Sequence, residues 1–240
     1  MTPRELEAEV SWQWSNHCLS EVPAGKKVLR VNIDETSVCW CQRGRGTVFL
    51  SKRSPDAVQK ASQKQQRTYL THVAMICDDP HIQCVLPQVI VANEATMTEA
   101  QYTALKSECP PNVHLWRRAS AWLKIPQFVH VLGLLAAALR PFLDEFQPIV
   151  FFDACKVHLH SSIFRACVRG GLWPVVIAAA TTWLIQPLDT HAFALYKCRL
   201  RKVCQRSRIE AADGALSLAM LVAAVFTAIK DVLESRAWAS

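Results

Sequence analysis

Apolar and polar positions along the chain change period several times, and the changes mark its elements. Residues 28 to 34 form a short apolar run broken by Arg30 and Asn32, which reads as a buried strand with Asp34 near its C-terminal end. The turn Arg43-Gly44-Arg45-Gly46 and the run Thr47-Val48-Phe49-Leu50 predict a hairpin partner. A solvated basic loop is expected over 51 to 67, then a third strand over 68 to 76 and a short further strand over 86 to 91. Period 3.6 takes over at 97 to 107, a helix stopped by Pro110-Pro111, and again at 125 to 142, the first long helix. Pro148 to Asp153 is an apolar strand that ends on an acid. Ser161-Ser162 predicts the cap of a helix running to about Val168 and closed by Gly170-Gly171. Residues 173 to 179 read as the last core strand, and the Thr181-Thr182 loop leads to Asp189. A basic helix is expected from Thr190 to about Arg208. A last amphipathic helix is expected from Gly214 to Trp238, with Leu218, Leu221, Val225 and Ile229 on its apolar face.

This order predicts an α/β protein with an RNase H-like fold, a mixed central sheet flanked by helices. Its organisation reads as a lead-in over 1–27, one domain over 28–208 and a C-terminal helix over 209–240 packed on that domain. The apolar stretches 128–139 and 215–229 are expected to be core helices rather than membrane spans, since a span needs about 20 apolar residues. Tryptophans 116, 122, 173 and 183 lie in or beside apolar segments and are expected in the core.

Composition narrows the partners. The 240 residues are 51% apolar, which excludes a disordered chain, and the net charge of +7 favours a polyanion. Ten cysteines are scattered without a CxxC pair and read as reduced thiols. Cys77, His81 and Cys84 have the spacing of three zinc ligands but lack a fourth, so they read as structural.

The chemistry is carried by acids. Asp34 and Asp153 each sit at a buried strand, and Asp189 follows a third apolar run in Gln186-Pro187-Leu188-Asp189. A core strand gains nothing from an unpaired carboxylate, so acids repeated in this setting point to a site. Three carboxylates that converge suit a hard divalent cation such as Mg²⁺ or Mn²⁺. They are expected within a few ångströms of one another at one edge of the sheet. Asp153→Asn is then expected to stabilise the metal-free protein by relieving repulsion. Glu35 follows Asp34, and strand alternation turns it to the opposite face. Lys197, Arg199, Arg201, Lys202, Arg206 and Arg208 form a cationic run without an acid between Asp189 and Glu210. It is expected to contact a DNA backbone without reading sequence.

Three motifs carry a resemblance. Asn32-Ile33-Asp34-Glu35-Thr36-Ser37, Phe152-Asp153-Ala154-Cys155-Lys156-Val157-His158 and Leu184-Ile185-Gln186-Pro187-Leu188-Asp189 resemble the DDE-superfamily endonuclease domain of pogo-like and Tigger-like DNA transposases, with their centromere protein B relatives. The resemblance covers roughly residues 28 to 205. Ala154-Cys155-Lys156 replaces the Asn-Ala-Pro usual in the second motif, while Asp153 and His158 keep their spacing. The resemblance implies that Asp34, Asp153 and Asp189 hold two divalent ions for DNA cleavage or strand transfer. Glu35 and His158 are then outer partners of the site. It also implies a nuclear protein that holds DNA, and either self-association or a separate DNA-reading partner. Only 27 residues precede the first strand, too few for a helix-turn-helix domain. The alternative is a transposase relic that binds DNA without catalysis.

Overall fold

The computed structural model describes residues 2, 22–39, 69–177, 181–211 and 214–239. The expected hairpin strand at 47–50 and the basic loop at 51–67 lie outside them. Six strands form one sheet: β1 (Lys27–Cys39), β2 (Tyr69–Cys77), β3 (Gln88–Asn93), β4 (Val113–Arg118), β5 (Phe146–Asp153) and β6 (Trp173–Ile177). Their spatial order is β4-β3-β2-β1-β5-β6. β1 runs antiparallel to β2, and β2 to β3. The pairs β3–β4, β1–β5 and β5–β6 are parallel. Five strands therefore point one way, and their C-terminal ends share one rim. This is the mixed α/β sheet the sequence predicts.

The helices are α1 (Pro80–Gln83), α2 (Glu99–Ser107), α3 (Ile125–Leu139), α4 (Ser161–Arg169), α5 (Thr182–Ile185), α6 (Phe193–Glu210) and α7 (Leu218–Ala228). π-helical turns at Leu188–Ala192 and Ile229–Glu234 open α6 and extend α7.

Each face of the sheet buries its own core. Leu29, Val31 and Ile33 of β1, with Val150 and Phe152 of β5, pack against Phe128, Val131, Leu132, Leu135 and Leu139 of α3 and Ile163 and Cys167 of α4. The spacing i, i+3, i+4, i+7 on α3 gives it one buried stripe. Ile125–Phe142 is long and apolar enough to cross a membrane, but this stripe docks on the sheet. On the other face, Leu70, Ala74, Ile76, Ile90 and Leu115 pack against Tyr196 and Leu200 of α6 and Leu221, Val222 and Val225 of α7. Strands covered on both faces read as nearly unbroken apolar runs, which is why β2, β3 and β5 are legible in sequence.

Several details differ from the sequence expectation. β1 runs to Cys39, so Asp34 lies inside the strand, not near its end. β4 was not expected, because the adjacent prolines and His114, Arg117 and Arg118 mask its Val113/Leu115 alternation. β6 is an outer strand and only half-buried. The cap of α4 is His160, whose Nδ1 accepts from the Ser162 amide at 3.3 Å, rather than the serine pair. Gly170 lets α4 close on α3: a Cβ there would lie 2.7 Å from the Ala136 methyl. Trp116 is buried, but Trp122 and Trp183 are 84% and 61% exposed. A tryptophan beside an apolar run in sequence can still stand on a loop or at a helix start, with much of its ring exposed.

Candidate metal and nucleic-acid site

Asp34, Asn32, Thr36 and Val38 alternate onto the α6/α7 side of β1, opposite Ile33 and Glu35. The parallel register pairs Asn32 with Phe151. Two residues further along each strand, just beyond the last pair of the ladder, come Asp34 and Asp153. Asp34 is thus on a central strand of the sheet, and Asp153 at the rim end of its neighbour. Asp189 arrives from the third side, on the π-helical turn that opens α6. Such turns widen the helix by one residue and occur often at functional sites.

The Asp34 carboxyl feels the other acids. Burial lifts the Asp34 carboxyl from its ordinary value to about 8. The negative charge of Asp189 adds to this, and those of Glu35 and Asp153 add smaller amounts. The Glu35 amide, donating to Asp34 Oδ1 at 2.8 Å, offsets only part of the rise. Among the described residues no cation compensates the charge at Asp34.

Asp153 is different. His158 Nδ1 lies 2.6 Å from Asp153 Oδ1, and this hydrogen bond holds the Asp153 carboxyl below the usual range. Burial alone would lower the pKa of His158, which is fully buried against Phe128 and Phe152. The hydrogen bond to Asp153 and the charges of Glu35 and Asp153 outweigh that and raise it to about 9. Glu35 Oε1 lies 3.5 Å from His158 Nε2, within ion-pairing reach but not aligned as a hydrogen bond. Glu35 does face away from Asp34, and His158 links it to Asp153. The expected stabilisation by Asp153→Asn is corrected accordingly: Asp153 has a cationic partner, and the uncompensated acid is Asp34.

Asp153, Cys155 and His158 bring oxygen, sulfur and nitrogen atoms within 4.8 Å of one another, a hint of divalent-metal use. As donors they are a poor set. Burial pushes the Cys155 thiol up to about 11, and His158 Nδ1 is already engaged by Asp153. The carboxylates suit a hard cation better. Of the sequence candidates for zinc, Cys77 is buried with its thiol donating to the Asp79 carbonyl, and Cys84 is exposed.

The cations of α6 do not share a face. Lys197, Arg201 and Arg208 fall on one flank, and Arg199, Lys202 and Arg206 on the other, at 100° per residue. The second flank is partly spent. Arg199 pairs with Asp231 at 2.6 Å and Arg206 with Glu210 at 3.1 Å. On the first flank, the Lys197 ammonium lies over the Phe193 ring at 5.5 Å, and Arg201 Nε donates to the Lys197 carbonyl.

Sequence reasoning assigned no role to Asn32 or Gln186. Asn32 ties the turn that carries Asp189 to β1, through its hydrogen bond from the Leu188 amide. Gln186, three residues before Asp189, is fully buried, and neither atom of its amide has a partner among the described residues. Buried Gln83 and Gln88, by contrast, each accept from and donate to β2 backbone groups. An unpaired amide costs about 1–3 kcal/mol, so Gln186→Leu should leave the metal-free melting temperature unchanged or raise it. A thermal melt that falls by several degrees would show that Gln186 has a structural partner.

No family model and no curated protein matches the sequence. Solved structures do match the fold. The Mos1 transposase paired-end complex with left transposon end is 11% identical, with a TM-score of 0.51 over 96% of this chain and 60% of that one. The Mos1 strand transfer complex is 12% identical, with a TM-score of 0.50 over 93% of this chain and 54% of that one. The Mos1 mariner paired end complex with Mn is 13% identical, with a TM-score of 0.50 over 98% of this chain and 61% of that one. The chain thus has a transposase-like RNase H fold and spans about three-fifths of the length of the chains it matches.

Proposed function

We propose that this chain is a DDE-type, transposase-derived nuclease domain that holds DNA without sequence preference and cleaves or transfers its strands. Asp34, Asp153 and Asp189 are its ligands for two Mg²⁺ or Mn²⁺ ions. The observation that carries this is the placement of the acids: Asp34 on a central strand, Asp153 on the adjoining strand and Asp189 on the turn that Asn32 ties to β1, with burial and the other charges lifting the Asp34 carboxyl to about 8. Acids kept together at such a cost fit a cation that removes it. The fold shared with complexes of DNA transposases, one of them with Mn, supports the same reading.

When bound, the ions would lower the pKa of an attacking oxygen and offset charge at phosphorus. The chain's own residues prepare that chemistry. His158 holds one Asp153 oxygen and so fixes the rotation of the carboxylate, as outer partners of metal ligands do. A cation beside Asp34 would favour the carboxylate form that burial and the neighbouring acids oppose. Lys197 and Arg201, on the helix that follows the Asp189 turn, can neutralise backbone phosphates.

The test is nicking of supercoiled plasmid with Mg²⁺ or Mn²⁺ and with EDTA. Metal-dependent nicking supports the reading. DNA binding without nicking moves the chain to the binder without catalysis. The α6 flanks give a second expectation. Lys197→Ala with Arg201→Ala should weaken binding to all sequences alike and lower the salt slope by about one unit per lost phosphate contact. Arg199→Ala should instead lower the melting temperature, because it unpairs Asp231. Equal DNA affinity for the double variant and wild type in a salt titration would remove α6 from the interface.

A further inference from the structure

Asn32 is 4% exposed and lies two residues before Asp34 on β1. Its Nδ2 donates to the Phe151 carbonyl at 3.1 Å, and Phe151 lies two residues before Asp153. Its Oδ1 accepts from the Leu188 amide at 2.9 Å, and Leu188 precedes Asp189. One side chain therefore joins the three segments that carry the proposed ligands, within two residues of each ligand.

The chemistry of a carboxamide suits this position. It offers a donor and an acceptor in one plane, so it can serve a carbonyl on one side and an amide on the other. A carboxylate only accepts, and an aliphatic side chain does neither. The two groups that it serves lie on different elements. The β1–β5 ladder ends at the Asn32–Phe151 pair. The Leu188 amide sits in the first turn of a helix, where no carbonyl of its own helix is available. Burial of Asn32 also fixes its rotamer, so the two bonds act as a bracket of set length.

We infer that Asn32 is a positioning residue, which sets the spacing of Asp34, Asp153 and Asp189 and thereby the affinity of the site for divalent cations. This rests on the metal-site reading above. A purely structural asparagine would affect stability alone. A positioning one affects metal affinity beyond what its loss of stability explains.

The experiment uses the whole chain and Mn²⁺ itself. Wild type, Asn32→Leu, Asn32→Asp and the core control Leu135→Ala are compared by calorimetric Mn²⁺ titration, far below each melting temperature. Metal-free DNA affinity is measured in parallel. Asn32→Leu should lose about 10–100-fold in Mn²⁺ affinity, the range seen when outer partners of metal ligands are removed. Leu135→Ala should melt lower yet keep its Mn²⁺ affinity within about twofold, because Leu135 packs in the α3 core away from the acids. Asn32→Asp keeps the acceptor for Leu188 but loses the donor to Phe151, so it discriminates even if Asn32→Leu does not fold. Charge alone would raise its Mn²⁺ affinity, whereas positioning predicts a fall. DNA affinity without metal should stay at the wild-type level in both Asn32 variants. The inference is overturned if Asn32→Asp binds Mn²⁺ as well as wild type or better, or if Leu135→Ala loses as much affinity as Asn32→Leu. Absence of Mn²⁺ binding by wild type overturns the metal-site reading as well.

Discussion

Asp153→Asn is expected to reduce metal-dependent nicking to the level seen in EDTA, and to lower the melting temperature of the metal-free protein. The first effect follows from charge. Asn keeps the shape of the side chain but offers a hard cation a neutral oxygen. The loss should exceed the roughly 10–100-fold that removal of an outer partner costs. The second effect follows from His158, which donates to Asp153 at 2.6 Å and is protonated by virtue of that contact and of Glu35. Asp153 is partly exposed, so solvent screens the pair and the loss should be about 1 kcal/mol, a drop of a few degrees. Plasmid nicking and thermal melts with and without Mn²⁺ check both signs. A variant that melts higher without metal would mean that repulsion, not the histidine pair, dominates at Asp153.

Asp34→Asn should have the opposite effect on stability. The folded carboxyl titrates at about 8, against an ordinary 3.8. Between those values the folded state holds a proton that the unfolded state has released, so stability falls as pH rises through the window. At 1.36 kcal/mol per unit the cost in metal-free protein reaches on the order of several kcal/mol above pH 8. Asp34→Asn removes this cost, so the metal-free variant should melt higher than wild type at pH 8–9, and the gap should narrow as pH falls towards the ordinary 3.8. His158 adds a slope of the same sign: its stabilisation is present below its ordinary 6.5 and lost as pH rises through about 9. A residual fall with pH should therefore survive in Asp34→Asn. Mg²⁺ should stabilise wild type most at high pH and leave Asp34→Asn nearly unaffected. Identical melting curves for the two proteins across pH 5 to 9 would show that Asp34 is not the strained member of the cluster.

The candidate acids were legible as candidates because a carboxylate beside a buried strand is chemically expensive, and Pro148 to Asp153 shows this within a few residues. The role of Glu35 was half legible. Alternation put it on the face away from Asp34, but that this face holds His158 depends on how the loop after β5 folds back. The cationic helix was legible as a composition, and its division into two flanks follows from spacing. That Arg199 on one flank is paired with Asp231 could not be read, because Asp231 lies 32 residues away in the chain.

Local patterning alone determined the α/β class, the strands β2, β3 and β5, the helix α3 and the three candidate acids. These depend on which side chains recur at periods of 2 or 3.6, and such periods are written in adjacent residues. Tertiary structure decided the rest. β1 reaches Cys39 because β5 pairs with its first half and β2 with its second, partners that sequence order does not disclose. The exposure of Trp122 and Trp183 depends on what else reaches the rim of the sheet. Which of the acids is paired and which is strained was likewise set by how the chain folds: the loop after β5 turns His158 back onto Asp153, Asp34 meets the charge of Asp189, and one asparagine bonds across 156 residues to Leu188.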